Sequence, residues 1–299
     1  MSDKDLFWYW INERHRIALK KMGGESPPFT LDPILQEFKF TNVFRELDRT
    51  TKWFDHNIRS RKHGADLLWW TCLFRSLGTI QAGQELLFAD SVPGSMVTIF
   101  DEELLGSHLV AQQAAGLRLF TGAYMITCQY PGAKGKPKVI SLFKHCLSHI
   151  YRDREKLYDY FIETQSLEKA VTRLMSYNGF GGNGFMAYEV VSDLRHTPVL
   201  CNAVDIHTWA NPGPGAQRGL SRYHGRYDPA TKNKQIAPRS QTVREMRELL
   251  ELSPQFLESH VPTLEMRDIE HSLCEWDKYM RVKTKEGRPR SKYVATPIY

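Results

Sequence analysis

The chain has 299 residues, 25% of them charged and 41% hydrophobic, a composition that excludes a disordered, collagenous or low-complexity polymer. A chain of this length buries roughly three quarters of its unfolded surface. The formal net charge is +6, of which +5 falls in Arg281–Tyr299 (six Lys/Arg against Glu286), so a near-neutral body carries a basic tail; a polyanion at one surface is the functional reading, a solvated tail the alternative.

Apolar runs reach about five residues (Phe7–Ile11), too short for a bilayer span or a signal segment, so neither membrane insertion nor export is expected. The five cysteines (Cys72, Cys128, Cys146, Cys201 and Cys274) are odd in number and form no C-x-x-C pair, which reads as reduced thiols.

In chain order, Leu6–Lys21 is an aromatic-rich amphipathic helix stopped by Gly23-Gly24 and Pro27-Pro28. Asp32-Pro33 is an N-cap with proline at the first helical position, opening a helix to Phe40. Helical periodicity continues over Val43–Ile58, Ala65–Leu77, Glu102–Ala115, Lys138–Tyr151, Arg154–Thr164 and Ser166–Tyr177. Strand signals are confined to stretches such as Val190–Ser192 and Val199–Ala203. Asn211–Ser240, rich in Gly, Pro, Arg and Asn, reads as a long functional loop or lid, and Gln241–Leu252 and Glu265–Val282 close the chain as helices. The fold class is all-α.

The densest chemical signal is the glycine run Gly179–Gly184 between two helices, the second starting near Phe185. Glycines let backbone N–H groups turn outward, and the following helix adds its positive N-terminal end, a combination that seats a phosphate. A tight helix–helix corner is the bland alternative. His145 and His149 share a helix face without the Glu that a metalloprotease motif needs, and no metal site is expected. Trp8, Trp10, Trp53, Trp69 and Trp70 suit base stacking or, by helical spacing, core packing. Glu13, Arg14, Arg16, Arg45, Glu46, Asp48 and Arg49 are either site residues or a salt-bridged pair of helices.

The stretch Leu174–Leu220 resembles the helix-hairpin-helix of base-excision DNA glycosylases: Gly182-Asn183-Gly184, then Ala187, then Val204-Asp205-Ile206-His207 where that family carries its catalytic aspartate. Phe185 stands where lyase-type members hold their Schiff-base lysine, which argues against lyase chemistry. A resemblance over nearly the whole chain rests on Glu13–Ile17, Thr30–Leu35, Phe40–Arg49, Trp209–Leu220 and Glu270–Tyr279. These segments resemble the phage α-glutamyl/putrescinyl-thymine pyrophosphorylases, or amino acid:DNA transferases, which share a helical domain with 5-hydroxymethyluracil DNA kinases. No G-x-x-x-x-G-K-[ST] occurs in the sequence, so the transferase reading is preferred to the kinase.

That resemblance implies a helix-hairpin-helix DNA glycosylase-like fold with insertions, spanning 1–280 with the hairpin at about 166–195, followed by the basic tail 281–299. It implies transfer of an amino acid, glycine favoured, through its amine onto the 5-methylene of phosphorylated 5-hydroxymethyluracil in double-stranded DNA. Phosphate or pyrophosphate leaves, and the host cytoplasm of an infecting phage is the setting. Asp205, Glu13, His207 and Cys274 are the catalytic candidates: a carboxylate or imidazole collects the amine's proton, or a Cys274 thiolate, its pKa lowered by Lys278 and Arg281, adds to the pyrimidine. Arg14, Arg45, Arg49, Arg218 and Lys278 are candidates for the leaving phosphate. Gly179, Gly181, Gly182, Asn183, Gly184, Lys134, Lys136, Arg281, Arg288 and Arg290 are candidates for DNA contact. No metal or organic cofactor and no membrane partner is implied. A glycosylase that excises a modified base and a non-catalytic DNA-binding module are the rival readings.

Overall fold

The computed structural model describes residues 1–92, 94–122, 126, 137–228, 233–234, 236–287, 289 and 291–293. In chain order the helices are α1 (Asp3–Met22), α2 (Pro33–Glu37), α3 (Arg49–Phe54), α4 (Gly64–Leu77), α5 (Ile80–Ser91), α6 (Glu102–Ala114), α7 (Lys138–Leu142), α8 (Ser148–Thr164), α9 (Leu167–Met175), α10 (Phe185–Leu194), α11 (Pro214–Tyr223), α12 (Arg239–Leu252) and α13 (Met266–Lys283). A short antiparallel pair, β1 (Tyr227–Asp228) with β2 (Asn233–Lys234), interrupts this all-α architecture. Among the described residues no helix is long and apolar enough to cross a membrane.

The chain divides into two compact units, Met1–Asp48 with Ile206–Tyr299, and Arg49–Asp205. In the first, α1 starts on a capping box in which the Ser2 and Asp5 side chains and backbones exchange hydrogen bonds. Asp32 caps α2 as its sequence predicts, accepting from the Ile34 and Leu35 N–H groups at 2.8 and 3.1 Å. Helix α13 is buried along most of its length, packing against α1, α2, α11 and α12. Phe7 meets Trp276 and Tyr223 edge-on at 5.5 and 5.7 Å, and Trp8 stacks on Phe256 at 5.1 Å, so these aromatics form core.

The loop expected over Asn211–Ser240 contains α11 instead. Pro214 takes the first helical position, where its missing N–H costs nothing. Gly215 and Gly219, which read as loop signals, are packing residues: a Cβ on Gly219 would collide with the Leu273 carbonyl (carbon 2.9 Å away), and one on Gly215 with the Cys274 side chain. Absence of side chains at this spacing brings the α11 backbone onto α13.

In the second unit α4 is the central helix, packing on α8 and α10. Trp69 contacts Phe100 and Tyr151 edge-on at 4.6 and 5.2 Å, and Trp10, Trp69 and Trp70 are all buried, which places them in cores rather than on a base-stacking surface. Arg75 on α4 makes a buried two-bond pair with Asp193 on α10 (Nη2 to Oδ1, 2.7 Å) and donates to Thr51 at 3.1 Å. The helix predicted over Val43–Ile58 is broken: Asp48 is extended (φ −73°, ψ 140°) and its Oδ1 accepts from Asn42 N and Nδ2 at 3.0 and 2.8 Å. The two helices predicted over 138–164 run on through a π-helical turn, Phe143–Leu147, with no break at Tyr151–Arg154. Helix α5, absent from the sequence expectation, is capped by Thr79 and accommodates Trp53 against Gly83. Val190–Ser192 is helical, not extended. Cys146 is disulfide-bonded, a correction to the expectation of five reduced thiols, while Cys72, Cys201 and Cys274 are free.

Gly219→Ala tests the α11–α13 approach. The added methyl is expected to cost about 1–3 kcal/mol as backbone is forced apart, read as a lowered urea midpoint; an unchanged midpoint contradicts the close contact.

Candidate functional site

Helix α13 carries a run of charged side chains whose partners differ in kind. At its buried C-terminal half, Asp277 has no exposed surface and gathers three arginines: Arg218 (Nε, 3.0 Å), Arg222 (Nε, 3.0 Å) and Arg281 (Nε, 3.4 Å). Arg222 turns its other edge to Glu286 in a two-bond pair at 3.0 and 2.7 Å, and Tyr227 donates to the same carboxylate. These pairings fix α11, α13 and the β1 segment together. They also leave three guanidiniums against two carboxylates.

One turn earlier, α13 faces the segment Phe38–Thr41. The Glu275 carboxylate accepts from Thr41 N at 2.9 Å and from Lys278 Nζ at 2.6 Å, and His271 Nε2 lies 2.6 Å from Thr41 Oγ1. Burial pushes the Glu275 carboxyl up, but Lys278 and His271 outweigh it and hold it below the usual range. From the other side Arg14 on α1 reaches the same segment, donating from Nε to Thr41 O at 2.9 Å and from Nη2 to Phe40 O at 3.3 Å. Its Nη1 is buried and meets no hydrogen-bond partner among the described residues. Asp48 and Glu275 attract Arg14 without bonding it, and burial pulls its pKa down.

Lys21 lies seven residues beyond Arg14 on α1, hence on nearly the same helix face. It pairs with no carboxylate among the described residues, and its ammonium stands 4.0 Å from the Tyr293 ring centroid. Burial first, then the Arg14 charge, lower its pKa to about 8. Tyr293 belongs to a short C-terminal strap that pairs with the Glu37–Lys39 backbone: Tyr293 N donates to Glu37 O at 2.9 Å, and Lys39 N to Ser291 O at 3.1 Å. The unit thus sets three cations, Arg14, Lys21 and Lys278, against two acids, Asp48 and Glu275, of which Glu275 is bonded by Lys278. Such a cluster suits an anion with several acceptor oxygens.

Residues 2–288 match the family described as 5-hmdU DNA kinase, helical domain. The chain belongs to that family. Over 240 residues it is 25% identical to the 5-hmdU DNA kinase of Bacillus phage SP10, covering 72% of this chain and 35% of the relative. The chain therefore spans about a third of that relative's length. No solved structure matches it.

Within this family domain the expected site residues separate. Glu13, His207, Cys274, Arg14, Arg45, Arg218 and Lys278 belong to the first unit; Asp205, Arg49 and the Gly179–Gly184 turn belong to the second. Asp205 carries a structural duty: its carboxylate accepts from Ser166 Oγ (2.8 Å), Leu167 N (2.7 Å) and Glu168 N (3.0 Å), holding the start of α9. Glu13 accepts from Thr30 Oγ1 at 2.5 Å and pairs with Arg16, and His207 is exposed. The Cys274 expectation is reversed: burial, then Glu270 and Glu275, push its thiol well up, outweighing Lys278, because its sulfur is packed beneath Gly215. Arg218 is engaged by Asp277, Arg45 sits half-buried near the Arg267–Glu46 pair, and Arg49 is exposed at the start of α3.

The glycine turn takes the predicted form. Gly179, Gly182 and Gly184 adopt φ of 85°, 68° and 74°, a region that favours glycine, and α10 begins directly after Gly184. Gly182 and Asn183 are exposed, Gly181 is half-buried, and Asn183 Oδ1 accepts from Phe185 N at 3.2 Å. Arg281 is half-exposed beside Asp277, while Lys134, Lys136, Arg288 and Arg290 lie outside the described residues. Sequence reasoning missed Lys21 and Tyr293; Lys21 sits seven residues from Arg14, a helical spacing that was available to read.

The Glu286 pairing sets an acid limit. Burial pushes its carboxyl up, but Arg222, Thr284 and Tyr227 together bring it from 4.5 to about 2. Below 4.5 the unfolded chain binds this proton before the folded one, so the contribution is whole above that pH and lost as pH falls toward 2. Glu286→Gln is expected to lower Tm at neutral pH and flatten the fall of Tm across that acid window in calorimetry. An unaltered slope contradicts it.

Proposed function

We propose that this chain is an amino acid:DNA transferase of thymine hypermodification, working in the cytoplasm of a phage-infected host. It takes phosphorylated 5-hydroxymethyluracil in double-stranded DNA and joins an amino acid, glycine first, to the 5-methylene. The C–O bond to phosphate or pyrophosphate breaks with its electron pair leaving on the phosphate, the amine nitrogen forms the new C–N bond, and the amine's proton passes to a base. Family membership supports the DNA-modification setting, since the relative is named as a kinase of 5-hmdU DNA.

The observation that carries the reading is Arg14: a buried guanidinium that donates to two main-chain carbonyls and whose Nη1 has no hydrogen-bond partner among the described residues. A planar fork held by neutral acceptors keeps its full charge for a phosphate. Lys278 and Arg45 add cationic character as the leaving group develops charge. Glu13 and His207, in the same unit as Arg14, are the proposed proton acceptors. The exposed turn at Gly182-Asn183, backed by α10, is the proposed helix-hairpin-helix grip on a DNA phosphate. The target base leaves the stack so that the 5-methylene is accessible, at a cost of a few kcal/mol. A second reading, a DNA-recognition module without its own chemistry, is favoured by the packing duties of Asp205 and Cys274.

The test is mass spectrometry of nucleosides from duplex DNA bearing 5-phosphomethyl-deoxyuridine after incubation with the protein and a pool of amino acids and polyamines. A nucleoside that has gained one amine and lost phosphate is expected, and Glu13→Gln should reduce its formation by about 10²-fold or more. An abasic site would instead support a glycosylase, and bound but unchanged DNA the recognition module.

A further inference from the structure

Two of the cations in the first unit share an unusual situation. Arg14 presents a buried Nη1 with no partner among the described residues, and Lys21, seven residues along the same helix face, has no carboxylate partner there either. Between buried groups, like charges are normally separated or neutralised. Here the half-buried Lys21 ammonium is met by aromatic rings, Tyr293 with its centroid 4.0 Å away and Phe29 at 5.2 Å. The attraction of a ring face for an ammonium is weaker than that of a dianion, so the ring substitutes poorly for the counter-charge this position asks for.

The attachment of Tyr293 is slight. Among the described residues, the strap Ser291–Tyr293 is held by two backbone hydrogen bonds, Lys39 N to Ser291 O and Tyr293 N to Glu37 O, and by an exposed Lys292–Glu37 pair at 3.5 Å. An exposed pair of this kind adds little. The segment it leans on has holds of its own, because Arg14 binds Phe40 O and Thr41 O and Glu275 binds Thr41 N. Unpairing the strap therefore leaves Arg14 and the Phe38–Thr41 segment in place.

We infer that Arg14 and Lys21 are two arms of a seat for a phosphate monoester or diphosphate, and that Tyr293 is its displaceable cover. The ligand is chosen by the donors: a guanidinium Nη1 without a partner among the described residues and a compact ammonium, set on one helix face, match a tetrahedral anion with several oxygens. A phosphate entering the seat displaces the phenol ring, engages Arg14 Nη1 and Lys21 Nζ, and frees the strap from Glu37. This inference rests on the transferase reading only for the identity of the phosphate as part of the DNA substrate; the seat and cover stand on geometry alone.

The experiment titrates inorganic phosphate and pyrophosphate into the full chain by calorimetry. Tyr293→Ala removes the ring, and Tyr293→Pro also removes the N–H that binds Glu37 O. Both are expected to tighten pyrophosphate binding at least about fivefold over wild type, and Lys21→Gln in the Tyr293→Ala background to reverse the gain. Circular-dichroism melts confirm that each variant is folded. Equal or weaker pyrophosphate binding by folded Tyr293→Ala overturns the cover, and a gain that survives Lys21→Gln overturns the seat. Nucleoside analysis separates the two claims: tightened pyrophosphate binding without an aminated product retains the seat and removes the transferase, whereas an aminated product with unaltered pyrophosphate binding does the reverse.

Discussion

The first unit depends on a carboxylate that water does not reach. Asp277 holds Arg218, Arg222 and Arg281, and Arg222 passes the connection to Glu286 and Tyr227. A buried acid of this kind is tolerated only with its partners, since removing one side of a buried pair typically costs about 3–5 kcal/mol. The partners arrive because Gly215 and Gly219 let α11 lie directly on α13. Close backbone approach and charge pairing are thus one arrangement: without the glycines the arginines stand off, and without Asp277 the arginines repel.

Fixing α13 in this way fixes what its preceding turn presents. His271, Glu275 and Lys278 meet the Phe38–Thr41 segment on one side while Arg14 meets it on the other. Arg222 binds carboxylates through all three of its nitrogens, whereas Arg14 is hydrogen-bonded only to main-chain carbonyls among the described residues. The contrast separates arginines bonded to carboxylates from one bonded to main-chain oxygens. Arg218, a phosphate candidate by motif, falls in the first class, and Arg14 falls in the second.

Much of this was legible in the sequence where the cause is local. The Asp32-Pro33 cap and the glycine turn before Phe185 each depend on residues within a few positions of one another. The misreadings come from partners distant in sequence. Glycine and proline mark both loops and tight helix contacts, so α11 read as a lid until Leu273 and Cys274 were seen beneath it. The Cys274 thiol is likewise governed by burial rather than by the cations beside it in sequence, while the Asp48–Asn42 contact that breaks a periodic helix is local and is hidden by the apolar pattern around it. Arg14 was visible as an arginine in a family motif; that its Nη1 meets no hydrogen-bond partner among the described residues was not.

The central claim is that the Arg14 cluster discriminates a phosphorylated base from an unphosphorylated one. The direct measurement is fluorescence anisotropy with two duplexes that differ only in whether one 5-hydroxymethyluracil is phosphorylated, using wild type, Arg14→Gln and Lys21→Gln at fixed ionic strength. Wild type is expected to bind the phosphorylated duplex at least about tenfold more tightly, a preference of roughly 1.4 kcal/mol. Both variants should lose that preference while binding the unphosphorylated duplex as wild type does. Equal affinity of the wild-type chain for the two duplexes would contradict the account.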